Sequence, residues 1–198
     1  MKHYQLVSIG LLATTLLFSC KNDTEEKVTN TTSEMTTKKE VKKRVLTPEQ
    51  SDKVNSLWSK VSVNSDTKSF IRFMTSAGIA DTLLSPSSKF TVFAPNNESF
   101  GVFTEKYNVT NNPDQKEELV TLLKNHIVVG SMDSSTLVQA LKKSAKVELT
   151  TLTGDKLTAT MDGNDIILTN KTGATAKVKK SDIMASNGVL HVVDAVLK

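Results

Sequence analysis

The sequence predicts an α+β fold. Apolar residues at helical spacing fill most of the stretch 48–144, and strict alternation replaces that spacing after residue 145. Helices gathered ahead of strands argue against a doubly wound fold, which would interleave the two patterns. About 150 residues follow a polar N-terminal stretch of different composition. A domain of that size buries roughly 70% of the surface its unfolded chain exposes, so one ordinary core suffices.

The first predicted helix covers 48–60, with Thr47 as N-cap and Pro48 at its first position. Val54, Leu57, Trp58 and Val61 share its expected core face. A second helix opens after Asn64-Ser65-Asp66-Thr67 and carries Phe70, Phe73, Met74 and Ala77, with Gly78 as its C′ residue. Ile79, Leu83 and Leu84 continue into a short helical turn that Ser85-Pro86 stops. Lys89 to Ala94 is a β-rich run that Pro95 ends, because proline cannot donate to a ladder. Asn96 or Asn97 is then expected to cap a short helix holding Phe100 and Phe103. Asn112-Pro113-Asp114-Gln115 reads as a capping box for a helix with the stripe Leu119, Leu122 and Leu123, and Val120 alongside. His126 to Gly130 is a short strand, and a helix around 135–144 buries Leu137, Val138 and Leu141.

Beyond residue 145 the strands follow one another. Val147, Leu149 and Thr151 alternate, then Leu157, Ala159 and Met161, with Thr153-Gly154-Asp155 as the turn between them. Asp162-Gly163-Asn164-Asp165 makes the next turn before Ile166-Ile167-Leu168. Asn187-Gly188 suits a tight hairpin, since both residues tolerate positive φ. Val189 to Val193 then forms the closing strand.

The first nineteen residues read as a targeting segment. Lys2 and His3 precede an apolar run from Leu6 to Phe18. That run is short for crossing about 30 Å of hydrocarbon as a helix and fits the h-region of a secretory signal. It ends in Leu17-Phe18-Ser19-Cys20, which resembles a bacterial lipobox, and Cys20 is the single cysteine of the chain. The resemblance implies cleavage after residue 19, lipid on Cys20 and a membrane partner through that lipid; stable anchoring takes two or more acyl chains. No disulfide can form within such a mature chain. Residues 20–45 then read as a flexible polar tether, too poor in apolar groups to offset the entropy of ordering them. The folded part is expected over 46–198. Lys21 followed by Asp23, Glu25 and Glu26 is loosely similar to acidic signals for outward display, so the expected location is the cell envelope, at the outer membrane.

Composition and motifs exclude more chemistry than they suggest. The formal net charge is +4, and much of the excess lies in the groups Lys38 to Arg44, Lys142-Lys143-Lys146 and Lys177-Lys179-Lys180. These read as solvated surface or as weak attraction for acidic glycans or lipid headgroups. They lack interleaved aromatics, so no nucleic-acid partner is expected. A zinc site would need His126 and His191 together with a carboxylate. Gly-x-Ser-x-Gly is missing, and Gly154, Gly163 and Gly173 are isolated turn glycines. Asp162 and Asp165 flank a loop too short for an EF-hand. No cofactor, metal or catalytic residue is expected, and both histidines read as packed groups with a satisfied ring nitrogen.

Three stretches in order resemble the fasciclin domain family. The first is Phe90-Thr91-Val92-Phe93-Ala94-Pro95-Asn96-Asn97-Glu98-Ser99-Phe100, with Ser99 where alanine is usual. The second, Leu122 to Gly130, is similar to the family's Tyr-His segment, with Asn125 in place of the tyrosine. The third, Asp182-Ile183-Met184-Ala185-Ser186-Asn187-Gly188-Val189-Leu190-His191-Val192-Val193-Asp194, is close to the family's closing block. The resemblance implies a wedge of two β-sheets packed with several helices. It also implies a non-catalytic adhesion or matrix module whose ligand is a protein or a polysaccharide, serving attachment or biofilm cohesion. Asp182 and Ile183 align with a pair proposed to contact integrins in some animal members, and His126 with the histidine of the Tyr-His segment. These three residues, and Lys177, Lys179 and Lys180 for an acidic glycan, are the candidate contacts; a turn or cap for Asp182 and packing for Ile183 and His126 are the structural alternatives. The functional alternatives are an envelope glycan-binding module and an accessory factor of an envelope enzyme.

Overall fold

The structure is a computed structural model that describes residues 46–104 and 113–198, side chains included except at Pro113 and Asp114. The leader, Cys20, the tether and the Asn112 cap lie outside the described residues. Among those described, seven α-helices and seven strands follow the predicted order. The helices are α1 (Pro48–Asn55), α2 (Leu57–Val63), α3 (Lys68–Ser76), α4 (Ala80–Leu84), α5 (Asn97–Thr104), α6 (Pro113–Asn125) and α7 (Ser134–Lys143). The strands are β1 (Phe90–Pro95), β2 (Ile127–Val129), β3 (Lys146–Thr150), β4 (Lys156–Asp162), β5 (Asp165–Thr169), β6 (Thr175–Ala185) and β7 (Gly188–Val193).

The strands form one sheet of order β2-β1-β7-β6-β5-β4-β3. β1 runs parallel to β7, and the other neighbours are antiparallel. β6 is the hinge between the two halves. Its start pairs with β5 through Thr175–Lys177, and its remainder pairs with β7 from Val178 to Ala185. Two register shifts interrupt that second pairing, one between Val178 and Lys180 and one between Lys180 and Ile183. Each places an extra residue on β6, which bends the strand and raises its twist. The bend curls the sheet nearly into a barrel. The outermost strands meet where Val128 bridges Thr151 and the Leu152 amide donates to the Ile127 carbonyl at 2.8 Å.

Two apolar clusters fill the two sides of this bent sheet. The helices α2 to α6 pack Leu57, Phe70, Met74, Leu83, Phe100, Leu119 and Leu123 against Val92 of β1 and Leu190 of β7. Helix α7 packs Leu137 and Leu141 against Leu149, Leu157, Ala159 and Leu168 of β3 to β5, with Phe93 and Val193 contributed by β1 and β7. β7 is therefore covered on both faces, and all six of its residues are buried.

Three local expectations change. The predicted helix over 48–60 is two helices, because Ser56 adopts an extended conformation (φ −63°, ψ 160°) between them. Its hydroxyl donates to the Lys53 carbonyl at 2.8 Å and accepts from the Ser59 amide at 3.3 Å, so it ends one helix and caps the next. The break rotates Val54 off the core face and leaves it 54% exposed. Pro95 does not stop its strand one residue early; it remains paired with Val193 at the last position, where Asn96 supplies the next donor, to the Val193 carbonyl at 2.9 Å. The hairpin turn is Ser186-Asn187, with Ala185 and Gly188 as the flanking pair.

Candidate functional site

Asp182 sits in the second bulge of β6 at φ +63°, the one non-glycine residue with positive φ among those described. Asparagine and aspartate tolerate this region better than other side chains. Its carboxylate reaches the first turn of α7, accepting the Ser134 amide at 2.7 Å with one oxygen and the Ser134 hydroxyl with the other. Asp133 caps the same helix by accepting the Thr136 amide at 2.6 Å. Hydrogen bonds from Thr136, side chain first and backbone second, hold the Asp133 carboxyl below its ordinary range. The backbone amide of Asp182 donates to Nδ1 of His191 at 3.4 Å, so the bulge ties β6 to β7 as well as to α7. Ile183, next in line, is half-buried and packs on the first apolar cluster.

The two histidines are held in opposite tautomers. Nε2 of His126 accepts the Leu197 amide at 3.0 Å, which leaves the proton on Nδ1 to donate to the Leu122 carbonyl at 2.9 Å. His191 reverses this: Nδ1 accepts from Asp182, and Nε2–H donates to the Met132 carbonyl at 2.9 Å. His126 lies edge-on to Phe70 with centroids 5.9 Å apart, while His191 stacks on Phe93 at 5.2 Å. Burial lowers the pKa of both, that of His126 to about 4. The two rings serve different clusters and share no ligand position. His126, at 0% exposure with both nitrogens engaged, offers no edge to a partner in this conformation, so of its two readings the packing role is the one the geometry describes.

The lysines of β6 are less free than their spacing suggests. Lys177 pairs with Asp165 at 2.5 Å, and that hydrogen bond raises its pKa. Lys180 lies 3.6 Å from Asp66 across a shallow hollow of about 390 Å³ that Glu98 also lines. Lys179 is the extra residue of the first bulge and, among the described residues, makes no ion pair. The patch is mixed in charge.

A larger groove of about 650 Å³ runs between α6 and the β3–β4 and β5–β6 turns. Leu122 and Leu157 form its floor, and Glu117, Thr121, Asp155 and Lys171 stand on its walls. Asn125 lines it too, accepting from the hydroxyls of Thr153 and Thr151. Sequence reasoning missed this groove, because its residues come from four separated segments and carry no shared spacing. Among the described residues no group of three or more His, Cys, Asp or Glu side chains could hold a metal ion, and no helix is long and apolar enough to cross a membrane.

This arrangement is an α+β module whose polar groups join elements to one another rather than converge on a reacting atom. The fasciclin domain family model matches residues 65–198, and the chain belongs to that family. A cyanobacterial relative, protein sll1483 of Synechocystis, is 31% identical over 69% of this chain and 71% of its own length. Transforming growth factor-beta-induced protein ig-h3 of the pig is 34% identical over 62% of this chain, and human periostin 28% identical over 72%; the matched part is 16% of the length of each. Among solved structures, a FAS1 domain pair from the insect cell adhesion molecule fasciclin I superimposes with a TM-score of 0.60 at 17% identity, covering 73% of this chain and 51% of that one. That likeness concerns the fold.

Proposed function

We propose that this protein is a lipid-anchored adhesion or binding module of the cell envelope, with a leader over 1–19, a tether over 20–45 and the fasciclin domain over 46–198. The observation that carries the reading is the fasciclin family match over residues 65–198. The polar network supports a scaffold rather than an enzyme, since both histidines are neutral packing groups and Asp182 is a structural cap. The anchor rests on the leader that ends immediately before Cys20. Outer-membrane placement rests on the acidic residues after Lys21.

The reading predicts that Cys20→Ala abolishes incorporation of labelled fatty acid and releases the protein from the membrane fraction. It also predicts that a deletion strain attaches or coheres less well while growing normally. Normal attachment by that strain, with the protein expressed in the parent, would count against an adhesive role. A polysaccharide ligand is the second reading, favoured by Lys179, whose amine is open on the bulge. A glycan array at two salt concentrations tests it, because binding through an exposed lysine weakens as screening rises.

A further inference from the structure

We propose that Asn187-Gly188 is a latent self-modification site: the folded state silences it, and opening the fold converts Asn187 irreversibly to an acid that cannot refold. The sequence contains one Asn-Gly step, and it lies at the β6–β7 turn. In an unfolded chain such a step is labile. The Gly188 backbone nitrogen attacks Cγ of Asn187, a nitrogen–carbon bond forms, and the side-chain carbon–nitrogen bond breaks. Ammonia leaves, carrying away the proton of the Gly188 amide. Water then opens the succinimide ring to aspartate or isoaspartate. No oxidant or reductant enters, and glycine at the second position leaves the attacking nitrogen unhindered.

The fold holds both residues in place for reasons unrelated to that chemistry. Asn187 is 1% exposed. Its Oδ1 accepts the Leu57 amide at 2.7 Å, at the start of α2, and its Nδ2 donates to the Leu83 and Ser85 carbonyls at 2.9 and 3.0 Å, at the end of α4. One carboxamide thus closes two helix ends, and only a side chain with an acceptor and two donors can do so. Cyclisation has to strip away the two bonds to Leu83 and Ser85, because the nitrogen that makes them is the leaving group. Gly188 is equally constrained: at φ +152°, an added Cβ would lie 1.9 Å from the Phe90 carbonyl oxygen. The two positions therefore demand asparagine and glycine, and their labile pairing follows from packing.

Both products fail in the same pocket. Aspartate turns acceptor oxygens toward the Leu83 and Ser85 carbonyls, leaving two carbonyls without donors and burying a charge. Isoaspartate adds a methylene to the main chain and shifts β7 against β1 and β6. Time spent unfolded is thereby recorded in the chain.

The test holds the full chain in denaturant and, in parallel, in native buffer at the same mildly alkaline pH. Peptide mapping follows amide-to-acid conversion at Asn187, with the other asparagines as internal reference, and circular dichroism after dilution follows the refoldable fraction. Conversion at Asn187 should run at least about tenfold faster in the unfolded sample, since native opening limits it. The refoldable fraction should fall in step with it. Equal rates in the two samples overturn the protection, and converted chains that regain the native melting curve overturn the lesion. The variant Asn187→Asp isolates the second point: it should fail to fold or melt at least about 5 °C lower, and a wild-type melting curve for it refutes the proposal.

Discussion

Acidification from pH 7 to 4 should remove stability through one buried ring. His126 has a pKa of about 4 in the folded protein, because its burial penalises the charged form, against 6.5 when exposed. Between those values the unfolded chain binds a proton that the folded chain refuses, so stability falls as the pH falls. The contribution is fully present above 6.5, declines through the window and stops changing below about 4. The two pKa values differ by about 2.5, which at about 1.4 kcal/mol per pH unit is roughly 3.5 kcal/mol in full, of which roughly 3 kcal/mol is lost by pH 4. His191 shifts in the same direction, again through burial, so one protein's pH curve does not isolate His126. Urea unfolding of wild type and His126→Gln at several pH values does, provided the slope m is constant. Glutamine can keep an acceptor toward the Leu197 amide but cannot titrate. The variant starts less stable at pH 7, and the gap between the two proteins should close by roughly 3 kcal/mol by pH 4. Parallel curves would refute the argument, whatever their absolute height.

Three further outcomes follow from the packing. Nitrogen-15 spectra should show His126 protonated at Nδ1 and His191 at Nε2, both neutral at pH 7; a shared tautomer would contradict the hydrogen bonds that Leu197 and Asp182 donate. Gly188→Ala should cost about 3 kcal/mol or more, or prevent folding, because the new Cβ meets the Phe90 carbonyl oxygen and Leu57 Cδ1 at 1.9 and 2.8 Å; a soluble variant with an unshifted thermal midpoint would rule this out. Asp182→Ala loses the bonds to Ser134 and still carries a Cβ at φ +63°, whereas Asp182→Gly loses the same bonds and relieves the backbone. Alanine should therefore be the worse substitution by about 1 kcal/mol in urea titrations, and the reverse order would show that the φ value carries no cost.

The candidate contacts illustrate how far residue patterns reach. Asp182 and Ile183 were placed by motif, and both sit near the second bulge, but the motif says nothing of the carboxylate's bonds to Ser134, 48 positions earlier. Lys177, Lys179 and Lys180 are close in sequence, yet Asp165 and Asp66 partly neutralise two of them from other elements. The histidines read as packing groups because each lies beside apolar residues. Which tautomer each takes depends on Leu197 and Asp182, and those partners are set by the closed fold.

Thr47 capping α1 with Pro48 behind it, Asn96 accepting the Ser99 amide at 2.8 Å ahead of α5, and the alternation of Leu157 with Ala159 are local facts. Each concerns residues within one turn or one pleat, where sterics and hydrogen bonding act over a few bonds. The order of helices and strands could be read for that reason. Ser56, Asn187 and the bulges of β6 belong to another class. Ser56 could have continued a helix, and Asn187 was expected at its turn for a tolerance of positive φ, whereas its side chain fits because Leu57, Leu83 and Ser85 arrive around one carboxamide. Groups more than a hundred positions apart leave no periodic trace, and their free energy exists once the chain has closed around them.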